Sequence, residues 1–230
     1  VRSDAAEKLS AAEAGIPSLT GEWSAADYGR AAEIVCSGVM ALPRLSGEEG
    51  RSLLQKFTAA ENLARCGDRK RTLAQRGGDF GVILSGANSL AKRYDAAMAK
   101  GEKVHAEAAQ LMAFVIRCVA LGVELSDEVL PTFPKDEKYA VRVDGVKKMY
   151  EGFTELVMGV QMIFSEKDAF SAEDRSVLLA AMAEVMPVVK KAFVPGAKAD
   201  FRRKLEAHRA TFPAPQDSQR LERLIGELGS

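Results

Sequence analysis

Leu111-Met-Ala-Phe-Val-Ile-Arg-Cys-Val-Ala-Leu-Gly-Val-Glu-Leu125 decides the fold. A surface helix carries one apolar stripe and a half-buried strand alternates, but this stretch is apolar on nearly every side. It therefore predicts a buried, central helix in an all-α protein. From Leu111 to Val123 the run is short against the roughly 20 apolar residues of a bilayer span, and Arg117 interrupts it, so no transmembrane segment is expected.

Toward the N-terminus, amphipathic helices are predicted in succession. Ser24-Ala-Ala-Asp27 and Ser46-Gly-Glu-Glu49 each place a hydroxyl three residues before an acid, a pairing that satisfies the free amides of a helix start. The first is followed by Tyr28, Ala31, Ala32, Val35, Val39 and Met40 at helical spacing until Pro43. The second leads Leu53, Leu54, Phe57, Ala60 and Leu63 to Cys66-Gly67, so the two read as an antiparallel hairpin. Gly77-Gly78-Asp79-Phe80-Gly81 reads as a junction, with a helix beyond it running to Lys100-Gly101.

Toward the C-terminus, Ser126-Asp127, Pro131 and Pro134 are expected to break the chain. A helix then spans about Lys138 to Phe164. Ser171-Ala-Glu-Asp174 caps the next, which Pro187 should kink. A shorter helix after Pro195-Gly196 carries Phe201, Leu205 and His208, and Leu221, Leu224, Ile225 and Leu228 close the chain. No run of β-branched residues alternates, and no fixed repeat period appears. The expectation is a compact bundle of roughly seven to eight helices. It divides into a weakly ordered N-terminal helix and loop (1–23), one bundle domain (24–212), and a linker with a short last helix (213–230).

Composition narrows the function classes. The chain is 230 residues long, 47% hydrophobic and 28% charged, which fits a folded globular protein rather than a disordered one. Thirty-two acidic residues balance 32 basic ones, so no global field favours nucleic acid. The densest basic run, Arg69-Lys70-Arg71 with Arg76, lacks aromatic neighbours and reads as a solvated loop rather than a nucleic-acid patch. Cys36, Cys66 and Cys118 are too few, and odd in number, for a disulfide framework; one bridge fits only an exported protein. The chain opens on Val1, which fits either a removed leader and an exported or periplasmic protein, or a trimmed cytoplasmic one.

Motifs for chemistry are incomplete. Glu102-Lys-Val-His105 spells the Glu-x-x-His of di-iron bundles, but Leu205 stands three residues before His208, so the required second copy is missing. Gly81-Val-Ile-Leu-Ser-Gly86 has phosphate-loop glycine spacing, with Ala87-Asn88 where lysine and a hydroxyl belong. These glycines are expected to permit a bend or a close helix contact. No cofactor or metal is expected, nor any catalytic residue.

Three features point to binding. Arg117 lies in the buried helix with Gln110 seven residues earlier on the same face. It is expected to snorkel, to meet a carboxylate such as Glu155 or Glu61, or to read a ligand in an apolar pocket. On the 138–164 helix, Gly145, Gly152 and Gly159 recur every seven residues beside a wide apolar face. Each costs about 1 kcal/mol relative to alanine, so a closely approaching helix, from this chain or a second copy, is expected to offset them. Met158 and Met162, then Met182 and Met186, share a four-residue spacing that suits either an irregular core or an accommodating surface. The leading expectation is a non-enzymatic binding or structural protein acting through helix–helix contacts, as a homo-oligomer or with a protein partner. The alternatives are a carrier or sensor of a small apolar molecule around Arg117 and Met158, and last an enzyme of unknown type.

Overall fold

The computed structural model describes residues 2–229, with side chains from residue 4 onward. The described chain is all-helical and contains no strand. Its α-helices are α1 (Arg2–Gly15), α2 (Ala25–Cys36), α3 (Glu48–Thr58), α4 (Glu61–Gly67), α5 (Leu73–Ala99), α6 (His105–Val129), α7 (Tyr139–Ile163), α8 (Ala172–Glu184), α9 (Met186–Ala192), α10 (Pro195–Glu206) and α11 (Pro215–Leu228). Short 3-10 turns occupy Leu130–Thr132 and Arg209–Thr211. This exceeds the seven to eight helices expected, because two predicted helices are split. The backbone turns extended at Ala59, separating α3 from α4. Val185 ends α8 just before Pro187, so the proline begins a new helix rather than kinking an old one.

Local capping explains several boundaries. Ser24 with Asp27 and Ser171 with Asp174 form capping boxes as the sequence predicts. Ser46 does not cap α3. Its N-cap is Gly47, one residue later, and Gly47 supplies no side-chain bond. The glycine-rich segment 77–81 is not a junction: Thr72 and Gln75 form a third capping box, and α5 runs unbroken through the glycines. The basic run beside it is only partly solvated. Arg76 is buried and donates from Nε to the Cys66 carbonyl at 2.8 Å, while Arg71 bonds the Arg65 carbonyl at 3.1 Å and Asp79 at 2.6 Å. Guanidinium groups thus meet the electron-rich C-terminus of α4, where the last carbonyls lack helical partners.

The chain folds as two compact units, residues 1–115 and 116–230, whose boundary falls inside α6. The expected single bundle over 24–212 follows a different division.

In the first unit α2 lies along α5 rather than mainly against α3, replacing the predicted hairpin. Glycines allow this approach. A Cβ on Gly86 would sit 3.0 Å from both the Ala32 Cβ and the Tyr28 ring, and one on Gly29 would sit 2.9 Å from Val82. Trp23, Tyr28 and Phe57 meet edge to face around the same place, and Phe114 stacks on Tyr28 at 6.1 Å. The loop between α2 and α3 is pinned by buried polar groups. Tyr94 donates to the Pro43 carbonyl at 2.7 Å, and Glu107 accepts from the Leu45 amide at 2.8 Å.

In the second unit α7 packs against α8, α9 and α10, and α11 packs against α8, α9 and α10. The α7 core face carries Phe153, Val157 and Val160, all buried, with Phe164 just past its end. Phe164 meets Phe212 edge to face at 4.9 Å, and Phe193 stacks on Phe201 at 5.1 Å. The final helix is integral to this unit: Leu221, Leu224, Ile225 and Leu228 are all buried.

α6 keeps the predicted burial: Leu111, Phe114, Ile116, Cys118 and Val123 are all at most 1% exposed. It is longer than the sequence suggests. Ser126 does not end it, because its hydroxyl bonds the Gly122 carbonyl within the helix at 2.8 Å. Together with the following turn, His105–Thr132 is long and apolar enough to cross a membrane by length and composition, which corrects the expectation that the stretch is too short. Of its most apolar window, 67% is buried inside the protein, as in the core helix of a globular fold.

Candidate interaction surface

The outer side of α7 is the most unusual surface in the second unit. A helix advances about 100° per residue, so Gly145, Gly152 and Gly159 stay within roughly 40° of one another. All three are exposed, and a Cβ built on any of them would meet nothing within 4 Å. The sequence anticipated a helix pressed against this strip from the same chain or from a second copy. The same-chain option is corrected here: α7 turns its opposite, apolar side to the core, and no described residue covers the glycines.

The flanks of the strip differ. On one side lie Lys148 and Glu155, both exposed; on the other lie Met149 and Leu156, half-buried. Lys148 reaches back to Asp144 at 2.8 Å, and Lys147 faces Glu151 at 3.5 Å, whereas Glu155 forms no ion pair among the described residues. Val141 continues the strip toward the helix start and is 72% exposed.

The methionines do not form one surface. Met182 and Met186 are core residues at 0% and 5% exposure, on either side of the break at Val185. Met158 is half-buried, and Met162 points out at 65% exposure. The shared four-residue spacing joins residues that face different surroundings.

Arg117 takes the ion-pair option, though neither Glu155 nor Glu61 is its partner. It binds Glu184 in fork geometry, Nε to Oε2 at 2.5 Å and Nη2 to Oε1 at 2.9 Å. The guanidinium holds the Glu184 carboxyl below the ordinary glutamate range. Both side chains are partly exposed, so this is a surface pair rather than a charge reading a ligand in an apolar pocket. Gln110, one heptad earlier, is half-buried.

No family model, curated protein or solved structure matches this chain.

Several polar groups escaped the sequence reading. His208, grouped there with the apolar face of α10, is buried beyond the helix end; its Nε2 meets the Gln161 amide nitrogen, and its ring meets Phe164 edge to face at 5.5 Å. The amide donates, so the imidazole accepts at Nε2 and carries its proton on Nδ1. Burial, followed by the nearby positive charge of Lys167, pushes the His208 pKa below the usual histidine value. Asp127 joins three helices, accepting from the Tyr150 hydroxyl at 2.5 Å and pairing with Lys191. Each role depends on residues far apart in sequence, and no local spacing announces it. Glu102 of the incomplete Glu-x-x-His spelling is paired with Arg44 at 2.5 Å. All three cysteines are reduced, none of them in a disulfide. Burial raises the pKa of Cys36 and Cys66, which keeps them protonated at neutral pH.

Two grooves open on the first unit. One, of ≈ 790 Å³, follows the small residues Gly77, Gly81, Ser85 and Gly29. The other, of ≈ 660 Å³, is walled by Ile16, Leu19, Met40, Leu42 and Leu53, with Arg44 and Glu48 among its polar residues.

Proposed function

We propose that the protein is a non-enzymatic assembly module whose α7 outer face takes a helix of another subunit. The observation that carries this reading is the bare glycine strip. Three interior glycines cost roughly 3 kcal/mol of helix stability, and no contact among the described residues offsets that cost. A neighbouring helix would offset it, because glycine lets two backbones approach and gain dispersion contacts over their length. Exposed Val141 and half-buried Met149 and Leu156 supply apolar surface beside the strip.

The test is assembly in solution. Sedimentation equilibrium on the purified wild type should show a dimer or larger species, and Gly152→Leu should return it to monomer with helicity intact. A wild type that stays monomeric at millimolar concentration would overturn the reading.

A second reading is carriage of a small apolar molecule. The Arg117 and Met158 region does not favour it, since Arg117 is committed to Glu184. The ≈ 660 Å³ groove of the first unit does favour it, being within the range of small-molecule pockets and walled largely by apolar side chains. Mass spectrometry of a solvent extract of the denatured protein should then find a co-purifying hydrophobic compound. Filling the groove by Met40→Trp should remove it.

A further inference from the structure

We infer that the subunit received by α7 is a second copy of this chain, its α7 antiparallel to the first and related by a two-fold axis at Gly152. This rests on the proposed assembly function, and the flanks of the strip carry it rather than the glycines alone. Seven residues separate Gly152 from Gly145 on one side and from Gly159 on the other. A two-fold axis at Gly152 therefore sets Gly145 of each copy opposite Gly159 of the other, as the self-complementary patch of a two-fold interface requires.

The charged flank obeys the same symmetry. Lys148 lies four residues before Gly152 and Glu155 three residues after it, both roughly 40–60° to one side of the strip. In the antiparallel arrangement like flanks face each other. Lys148 of one copy then stands within about one residue rise, roughly 1.5 Å along the axis, of Glu155 of the other, and the pair occurs twice. Glu155 has no ion-pair partner among the described residues of its own chain. On the other flank, Met149 and Leu156 have the matching offsets, three before and four after, so apolar surface meets apolar surface. A parallel pairing would turn the charged flank of each copy onto the apolar flank of the other, desolvating Glu155 with no partner and crowding the Lys148–Asp144 pair against apolar side chains. Charge and apolarity together select the antiparallel geometry. One helix pair is small beside a standard interface of roughly 1,600 Å², so weak, micromolar-range association is expected.

A charge exchange tests the geometry. Lys148→Glu or Glu155→Lys alone should weaken self-association of the full chain roughly tenfold by sedimentation equilibrium at low salt, since each creates two like-charge contacts. The double variant Lys148→Glu/Glu155→Lys should restore affinity to within about twofold of wild type, and the differences should shrink in molar salt. Circular dichroism confirms that each variant keeps its helicity. If the double variant is as weak as the singles while Gly152→Leu still abolishes association, the antiparallel pairing is wrong and the assembly function stands. If Gly152→Leu has no effect, both fall.

Discussion

α5 and α7 are long helices that each carry several glycines; Gly77, Gly78 and Gly81 near the start of α5 face open space, but Gly86 farther along it differs from the α7 strip. Gly86 on α5 faces a Tyr28 ring and an Ala32 methyl at distances that leave no room for a side chain. Gly145, Gly152 and Gly159 on α7 face open space. The first is explained inside the fold. The other three are not, and in a stable protein an unoffset cost of that size directs attention outward.

Substitutions probe this contrast directly. The largest effect should come from Gly86→Leu, where extra atoms must displace a fully buried ring. We expect a loss of about 3 kcal/mol, read from urea unfolding. A variant as stable as wild type would abolish the distinction between Gly86 and the α7 strip.

Next in size is a pH effect on a polar group explained within the fold. His208 has a lowered pKa when folded, so near and below the ordinary histidine value the unfolded chain binds a proton that the folded chain refuses. Stability should therefore fall as pH drops below about 6.5, and the loss should stop growing below the folded pKa. One proton limits the slope to about 1.4 kcal/mol per pH unit. His208→Gln should flatten that part of the profile in urea melts taken from about pH 7.5 to about 4.5.

On α7 the sign reverses. Gly152→Ala should stabilise the dilute monomer by about 1 kcal/mol, because a methyl there meets nothing and improves helix propensity. A destabilised monomer would mean that the strip is covered after all. The smallest change belongs to the surface pair: Arg117→Met should cost less than about 1 kcal/mol at neutral pH. Because Arg117 lowers the Glu184 pKa, this contribution is present at neutral pH and fades as pH falls through the folded value. The wild-type and Arg117→Met melts should converge at acid pH.

What the sequence made legible was local. The Ser24 and Ser171 caps, the extent of α7 and the burial of Leu111–Leu125 follow from neighbours within one or two turns, and the structure has them. The Thr72-Leu-Ala-Gln75 box was equally local, but the glycines after it masked a helix start. Other features depend on which helix lies against which. Nothing near Gly86 or Gly152 in the sequence says that one is pressed and the other bare. Nothing near Arg117 names Glu184, because that pairing is set by the return of the chain 67 residues later.

The reduced thiols offer a further use of the architecture. Cys66 belongs to the first unit and Cys118 to the second, and both are fully buried, whereas Cys36 is only half-buried. Alkylation by iodoacetamide under mild denaturant should therefore modify Cys36 first. The labelling rates at Cys66 and Cys118, read by peptide mass mapping, then time the opening of each half of the molecule separately, with no engineered probe.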